Sequence, residues 1–421
     1  MESVQNYKTQ KAVLRELAKQ VAEISELPIQ ERTKKEWKAL NSLNPSRPMF
    51  MIDQLPWEEL HCQDELNLQC VDETLRGFEW NLRETLYRFK RMPDDRVVSK
   101  DFRVPKAIHS TGYGQSLAYD MVEVGTGAVA SSRHFKNVIQ DEADIDKIEF
   151  PVITEDKEKS SALFNTACDI FDGILNTVQG GCDTFGHVWD IISQYHGVEQ
   201  CILDLVDRSE FMHKLTDRFF KTFHSDMDQC EKLGLIDVGQ PQIHCTGAFS
   251  DELPGFNGEN QNDLEKYRHS TKNVWTYGAA QLFSMVSPDM HDEFEITYQK
   301  AWYARFGLGY YGCCEPLDKK IAIINKLPNV RKISMSPWAN MEIGSECMNG
   351  EYVFSRKPNP SFLACDTWDT DIVRKDLELA CSIAARYNNP CELILKDVST
   401  VRNHPQRLWE WSKIAADICG K

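Results

Sequence analysis

Two adjacent thiols and a carboxyl group, Cys313, Cys314 and Glu315, stand where a short apolar and aromatic run, Phe306-Gly-Leu-Gly-Tyr-Tyr-Gly312, comes to a stop. Pro316 breaks the backbone pattern directly after them. The run has the character of a strand that ends at Gly312. Thiols and carboxyls supply nucleophiles, general acids and metal donors, and two thiols beside a carboxyl are an odd choice for a core. Strand side chains alternate, so Cys313 and Cys314 are expected on opposite faces, one of them looking into any central cavity. The competing reading makes both of them small buried hydrophobes, the usual fate of a free cysteine.

Similar groups recur at the ends of other apolar runs. Asp53 and Gln54 follow Met49-Phe-Met-Ile52, His244 and Cys245 follow Leu235 to Ile243, and Lys396-Asp397 follow Cys391 to Leu395. Catalytic zinc takes three protein ligands from Cys, His and carboxylate and keeps one position open. Cys313, Cys314, His244 and Cys245 are the candidate metal ligands, although their spacing is not a defined zinc signature. Zinc there would polarise an ether or amine leaving group, or hold a thiolate ready as a nucleophile. A metal-free reading uses Glu315, Asp251, Asp397 and Asp53 as general acids or cation binders, with Lys396 holding an anionic group of the substrate. The candidate catalytic residues are thus Glu315, Asp251, Lys396 and Asp397. Candidate substrate-binding residues are Asp53, Trp57, Tyr311, Trp338 and Arg356. Plainer roles compete: a turn cap for Asp53, and a surface ion pair for Lys396 with Asp397.

The elements that must position these groups alternate. From Leu235 onward, strands of four to six residues separate helices: Asp289 to Phe306, Ile321 to Leu327, Asp369 to Tyr387 and Gln406 to about Ile418. Such alternation predicts a parallel sheet, and its length an α/β fold of the (β/α)8 TIM-barrel type with the site at the C-terminal ends of the strands. Residues 1–45 form an N-terminal helical extension, with Val13, Leu14, Leu17, Val21 and Ile24 at helical spacing, and residues 46–421 form the barrel. Phe211, Leu215, Phe219, Phe223 and Met227 recur every four residues and mark a core-facing helix. The loop Gly180-Gly-Cys-Asp-Thr-Phe-Gly186 lacks phosphate-binding spacing.

A net charge of −16 disfavours nucleic acid or an anionic membrane as a partner. No apolar run approaches the ~20 residues of a membrane span. The first residues lack the apolar core of a secretory signal, and fourteen cysteines without framework spacing fit a reducing cytoplasm. The helical arm and the aromatic content are compatible with a homodimer.

Val286-Ser-Pro-Asp-Met-His-Asp-Glu-Phe-Glu-Ile-Thr-Tyr298, followed by a strand, resembles the Leu-Ser-Pro-x-x-Phe-x-Glu-Phe…Pro-Tyr helix of the uroporphyrinogen decarboxylase superfamily. Trp189 to Leu205 is similar to that superfamily's Gly-containing helix pair, and Arg47-Pro48 to the start of its first strand. The likeness spans roughly residues 45–418 and is most specific over 286–318. It implies an eight-stranded barrel and one of two chemistries: decarboxylation of a porphyrinogen, or zinc-dependent methyl transfer to or from a corrinoid protein. The decarboxylase branch carries Gln-Ala-Gly-Arg-Tyr after its first strand, whereas Asp53-Gln-Leu-Pro-Trp-Glu-Glu59 is acidic and would repel a polycarboxylate. The methyltransferase branch carries His-x-Cys after the Ser-Pro helix and a late Cys. Here Tyr311-Gly312-Cys313 keeps only the Cys, and Lys396-Asp397 stands at the late position. With the heme-pathway branch disfavoured by charge, the resemblance therefore implies a zinc-assisted methyltransferase that moves a methyl group between a small methylated ether, amine or thiol and the cobalt of a corrinoid. With no Asp-x-His-x-x-Gly segment in the chain, that corrinoid belongs to a partner protein. Alternatives are a lyase acting on a small carboxylic acid, with Lys396 and Arg356 as anion holders, and a non-catalytic barrel that binds a tetrapyrrole or corrinoid.

Overall fold

The computed structural model describes residues 2–60, 64–122, 132–253 and 269–421. Two helices, Glu2–Ser25 and Pro28–Asn41, open the chain and pack on its own body. Leu14, Leu17 and Val21 of the first join Phe78, Phe102 and Phe171 in one apolar cluster. In the second, the Trp37 indole N–H donates to the Asp95 carbonyl at 2.7 Å.

Six parallel strands make the main sheet: β1 (Met49–Ile52) and, after eight strands outside it among the described residues, β10 (Trp275–Gly278), β11 (Leu308–Tyr311), β12 (Val330–Met335), β13 (Val353–Arg356) and β14 (Cys391–Leu395). Their order, β1-β14-β13-β12-β11-β10, runs step by step through the sequence and returns to the first strand. Helices Thr297–Arg305, Ile321–Ile324, Met341–Met348 and Thr370–Arg386 lie in the crossovers, and Pro405–Cys419, after the last strand, packs beside β1. The sheet curls, and alternation sorts its side chains. Met49, Met51, Trp275, Tyr277, Leu308, Tyr310, Val353 and Ile394 meet on the concave face. Phe50, Ile52, Tyr311, Ile333, Met335, Phe354, Leu393 and Leu395 pack outward under the helices. Burial on both faces is why these strands are almost continuously apolar.

The expected ring of eight strands is present as this curled ladder of six. β2 (Asp101–Val104) pairs instead with β7 (Asn176–Gln179), and single bridges at Phe185–Tyr277 and Cys182–Ile236 tie the following stretch to its neighbours. Between β2 and β7 the chain makes the antiparallel pairs β3–β6 (Ile108–Ser110, Ile153–Glu155) and β4–β5 (Tyr119–Val122, Ser132–Phe135) before the crossing helix Lys157–Phe171. Nor does Leu235 to Ile243 form a sheet strand. Its end, β8 (Gln242–Ile243), folds back on β9 (Thr246–Gly247), leaving His244 and Cys245 as a two-residue turn. This hairpin lies against the concave face, where Thr246 Oγ1 donates to Glu392 at 2.7 Å and Lys332 donates to the Gly247 carbonyl at 3.0 Å. Among the described residues no helix is long and apolar enough to cross a membrane.

Candidate functional site

Gly312 sets the geometry of the site. Its φ of 91° lies in the left-handed region, and a Cβ there would run into the Leu317 side chain and come within 3.2 Å of Ser334 Cβ. The strand therefore ends in a turn that only glycine makes without strain. Alternation stops with it: Cys313 and Cys314, expected on opposite faces, hold their sulfurs 3.4 Å apart. Cys313 Sγ also lies 3.7 Å from His244 Nε2 and 2.5 Å from Lys396 Nζ. The Lys396 ammonium sits 3.4 Å from His244 Nε2 and 3.3 Å from Asp397 Oδ2, to which the Cys314 thiol donates at 3.3 Å. Three loops thus deliver one cluster. Asp397, His244 and Gln54 all hold φ between 51° and 56°, a conformation uncommon outside glycine. Backbone strain of this kind gathers where neighbouring structure fixes a functional side chain.

Charge in the cluster is unequally shared. The Cys314 thiol, donating to its neighbour, lowers the Cys313 pKa; His244 and Lys396 add to that against the opposing effect of burial. Cys314 faces the Asp397 carboxylate, so its proton has acceptors on both sides and the negative charge belongs on Cys313. Burial alone would lower the His244 pKa, but Cys245 and Cys313 outweigh it and push the imidazole up to about 9. Its ring stacks on Tyr277 with centroids 4.1 Å apart and planes 11° from parallel. Lys396 is likewise raised: its desolvation is outweighed by Cys313 first and Cys245 second. At neutral pH the arrangement is a thiolate between two cations.

Behind the sulfur lies a fully enclosed carboxyl. Glu315 accepts the Cys313 backbone N–H at 2.9 Å and the Ala280 N–H at 3.2 Å. Burial first, and the charge on Cys313 second, raise its pKa. Asp190, in the first turn of helix Val188–His196, is pushed up to about 7 by burial and by the nearness of Glu315. Asp190 escaped the sequence reading because it sits in an apolar helix, away from any strand end.

Other candidates lie elsewhere. Asp53 follows β1 on the rim beside Lys396, with its N–H on the Leu395 carbonyl at 2.8 Å and its carboxylate 3.5 Å from Arg96. Cys245, buried among the concave-face residues, has a lowered pKa because Lys357 and His244 outweigh desolvation. Asp251 is exposed and pairs with Lys38 of the second helix at 2.5 Å, away from the thiols. Trp57 packs edge-on to Trp80 and Tyr87 beneath the Arg88 guanidinium. Tyr311 and Arg356 occupy outward strand positions. The Tyr311 hydroxyl donates to Glu295 at 2.8 Å and lies 2.8 Å from His291 Nε2, all three being buried. Arg356 donates to the Ser336 carbonyl at 2.5 Å and faces Asp376 of the outer helix at 3.6 Å. Trp338, after β12, is 74% exposed and touches none of the cluster's hydrogen-bonding groups.

No family model matches this chain, and no curated protein does. Among solved structures, a methyltransferase from Methanosarcina mazei is similar to it, with 9% sequence identity and a TM-score of 0.47 over 91% of this chain and 98% of that one. The chemistry of the site therefore stands on its own residues.

Those residues do not fit zinc. Among the described residues no three His, Cys, Asp or Glu side chains are gathered to hold a metal ion. The place between Cys313 and His244 that a shared cation would take is held by the Lys396 ammonium. A positive side chain there neutralises the thiolate as a metal would, and repels one.

Proposed function

We propose that this chain is an enzyme working through the Cys313 thiolate, and that its reaction is the transfer of a methyl group from a small methylated ether, amine or thiol. One observation carries the reading: a sulfur at the end of β11 held between Lys396 and His244, 2.5 Å and 3.7 Å away. Two cations favour the thiolate, the form that attacks carbon. In the proposed step the sulfur forms a bond to the methyl carbon as the bond from that carbon to its O, N or S breaks. The leaving group takes a proton from His244. Lys396 then stabilises the sulfur whenever it is an anion, including when the methyl group departs again. The next station of the methyl group, by the sequence resemblance, is the cobalt of a corrinoid on a separate protein. The same reading takes the β2–β7 pair as wall completing the barrel between β10 and β1.

The test is a single turnover with candidate methyl donors, read by mass. Trypsin releases Phe306 to Lys319, a peptide whose only cysteines are 313 and 314. A gain of about 14 Da on it, absent in Cys313→Ser, is the expected result for a covalent nucleophile. An unmodified peptide across amines, ethers and thiols refutes the proposal. A lyase is the second reading, favoured by the same pair of cations as holders of a substrate carboxylate. Release of carbon dioxide from small acids without corrinoid protein would select it.

A further inference from the structure

Cys314 has no part in the transfer step, yet it is held against the sulfur that carries it out. We propose that Cys313 and Cys314 form a reversible oxidation site, closing to a disulfide between adjacent residues when the thiolate meets a peroxide. The observations are geometric. The sulfurs are already 3.4 Å apart, so closure to the ~2.05 Å of a disulfide needs little movement. Cys314 is partly exposed and gives onto the half-exposed Asp397, while Cys313 is 4% exposed behind it. Lys396, 2.5 Å from the Cys313 sulfur, can supply a proton to a departing hydroxide.

The step balances. The Cys313 thiolate attacks one oxygen of hydrogen peroxide, the O–O bond breaks, and hydroxide leaves as water with a proton from Lys396, giving a sulfenic acid. The Cys314 sulfur then attacks the sulfenic sulfur and hydroxide leaves with the Cys314 proton as a second water; Lys396 regains its proton from solvent. Overall the thiolate and the thiol lose two electrons to one peroxide, which takes the Cys314 proton and one solvent proton relayed by Lys396 and becomes two waters. The Cα atoms of adjacent residues are 3.8 Å apart across a trans peptide, below the usual 4.4–6.8 Å of a disulfide. Such a bond is strained, and strained disulfides are the readily reduced ones. The oxidised form removes the nucleophile, and a thiol reductant restores it.

This inference shares with the proposed function the reading of Cys313 as an ionised nucleophile, but not the methyl chemistry. The experiment treats the full chain with one equivalent of hydrogen peroxide, labels free thiols, and examines the same tryptic peptide. A loss of about 2 Da, no label, and recovery of two labels after dithiothreitol are expected. In Cys314→Ser, Cys313 should instead stop at the sulfenic acid and be trapped by dimedone. Lys396→Met should slow Cys313 oxidation by about tenfold or more. Labelling that stays intact on this peptide while exposed Cys347 or Cys365 is oxidised would overturn the proposal, as would a bond from Cys313 to Cys245. Mass gain from methyl donors without the peroxide response would leave the transfer reading standing alone. The reverse pattern would leave the oxidation site alone, and an inert peptide in both would sink the two together.

Discussion

Lys332 and Lys396 are both almost wholly buried lysines on the main sheet, and they do opposite things. Lys332 lies within β12 on the concave face, 2.7 Å from Glu392, 2.9 Å from Thr246 Oγ1 and 3.0 Å from the Gly247 carbonyl, with the Trp37 and Trp275 rings over it. All three ammonium donors are used and its partner is a fixed anion; Glu392 also accepts from Ser355 at 2.6 Å. Burial lowers the Lys332 pKa despite that pairing. Lys396 stands just past β14 where the sheet opens, against a thiol whose charge depends on it, and its pKa is raised. A buried ion pair with every donor and acceptor satisfied fixes one arrangement of the chain. A cation beside a group that can gain or lose its charge is a device for chemistry.

Breaking the closed pair should give the largest effect. Lys332→Met leaves Glu392 charged and enclosed, and should cost about 3–5 kcal/mol of stability by urea unfolding. Lys332→Met with Glu392→Met should recover much of it, since neither charge is then stranded. Equal losses in the single and double variants would mean that packing, not charge, is what Lys332 supplies.

Lys396→Met should behave differently, because Cys313 can take up a proton and become neutral. Stability should change little, while alkylation of Cys313 at neutral pH, followed on the Phe306 to Lys319 peptide, should fall by about 100-fold. If instead stability collapses and alkylation of the residual folded protein is unchanged, the two lysines are alike and the distinction fails.

How much of this was written in the sequence depends on the range of the interaction. Strand-helix alternation after residue 275 is local, and the expected strands at 391–395 and near 49–52 are seen. The convergence of three loops on Cys313 could be anticipated only as a gathering at strand ends. That His244 arrives on a hairpin laid inside the sheet, and not on a strand of it, follows from Trp37 against Gly247 and Thr246 on Glu392, contacts between segments far apart in sequence. Lys332 and Glu392 did leave a signal, since each is a charge inside an otherwise apolar strand. Tyr311 and Arg356 turn outward because Tyr310 and Ser355, one residue earlier, turn inward; the register that decides this is set by strand pairing.

A pH series sharpens the comparison further. Cys313 has a folded pKa below its unfolded value of about 8.5, and His244 one of about 9 against about 6.5 unfolded. Between those unfolded values the folded state has lost the cysteine proton and kept the histidine proton, so both states bind the same number. The thiolate's contribution, present above pH 8.5 and lost as pH falls through its folded pKa, is offset by that of the imidazolium, present below pH 6.5 and lost as pH rises through 9. These two groups together should therefore leave stability unchanged from about pH 6.5 to 8.5. In His244→Asn the Cys313 contribution is no longer offset, the unfolded state binds one more proton, and stability should rise with pH more steeply than in the wild type by at most about 1.4 kcal/mol per unit. Equal slopes in the wild type and the variant would show that His244 is neutral in the fold.

Tyr311→Phe removes the hydroxyl between Glu295 and His291, leaves these buried groups only their 3.4 Å contact with each other, and should cost about 1–3 kcal/mol without altering Cys313 alkylation.

Trp338 supplies the smallest effect and the cleanest control. It is an aromatic at a strand end, where its type suggests substrate contact, yet most of its surface is in water. Trp338→Ala should shift the urea midpoint by no more than about 0.5 kcal/mol, since no packing is lost. Neither alkylation nor peroxide oxidation of Cys313 should change, because the indole makes no hydrogen bond to the cluster that ionises it. A substrate that stacks on the indole would show a raised KM in the variant with its single-turnover mass gain still complete at saturation. That split would assign Trp338 to recognition at the rim, leaving ionisation of the sulfur to Lys396 and His244.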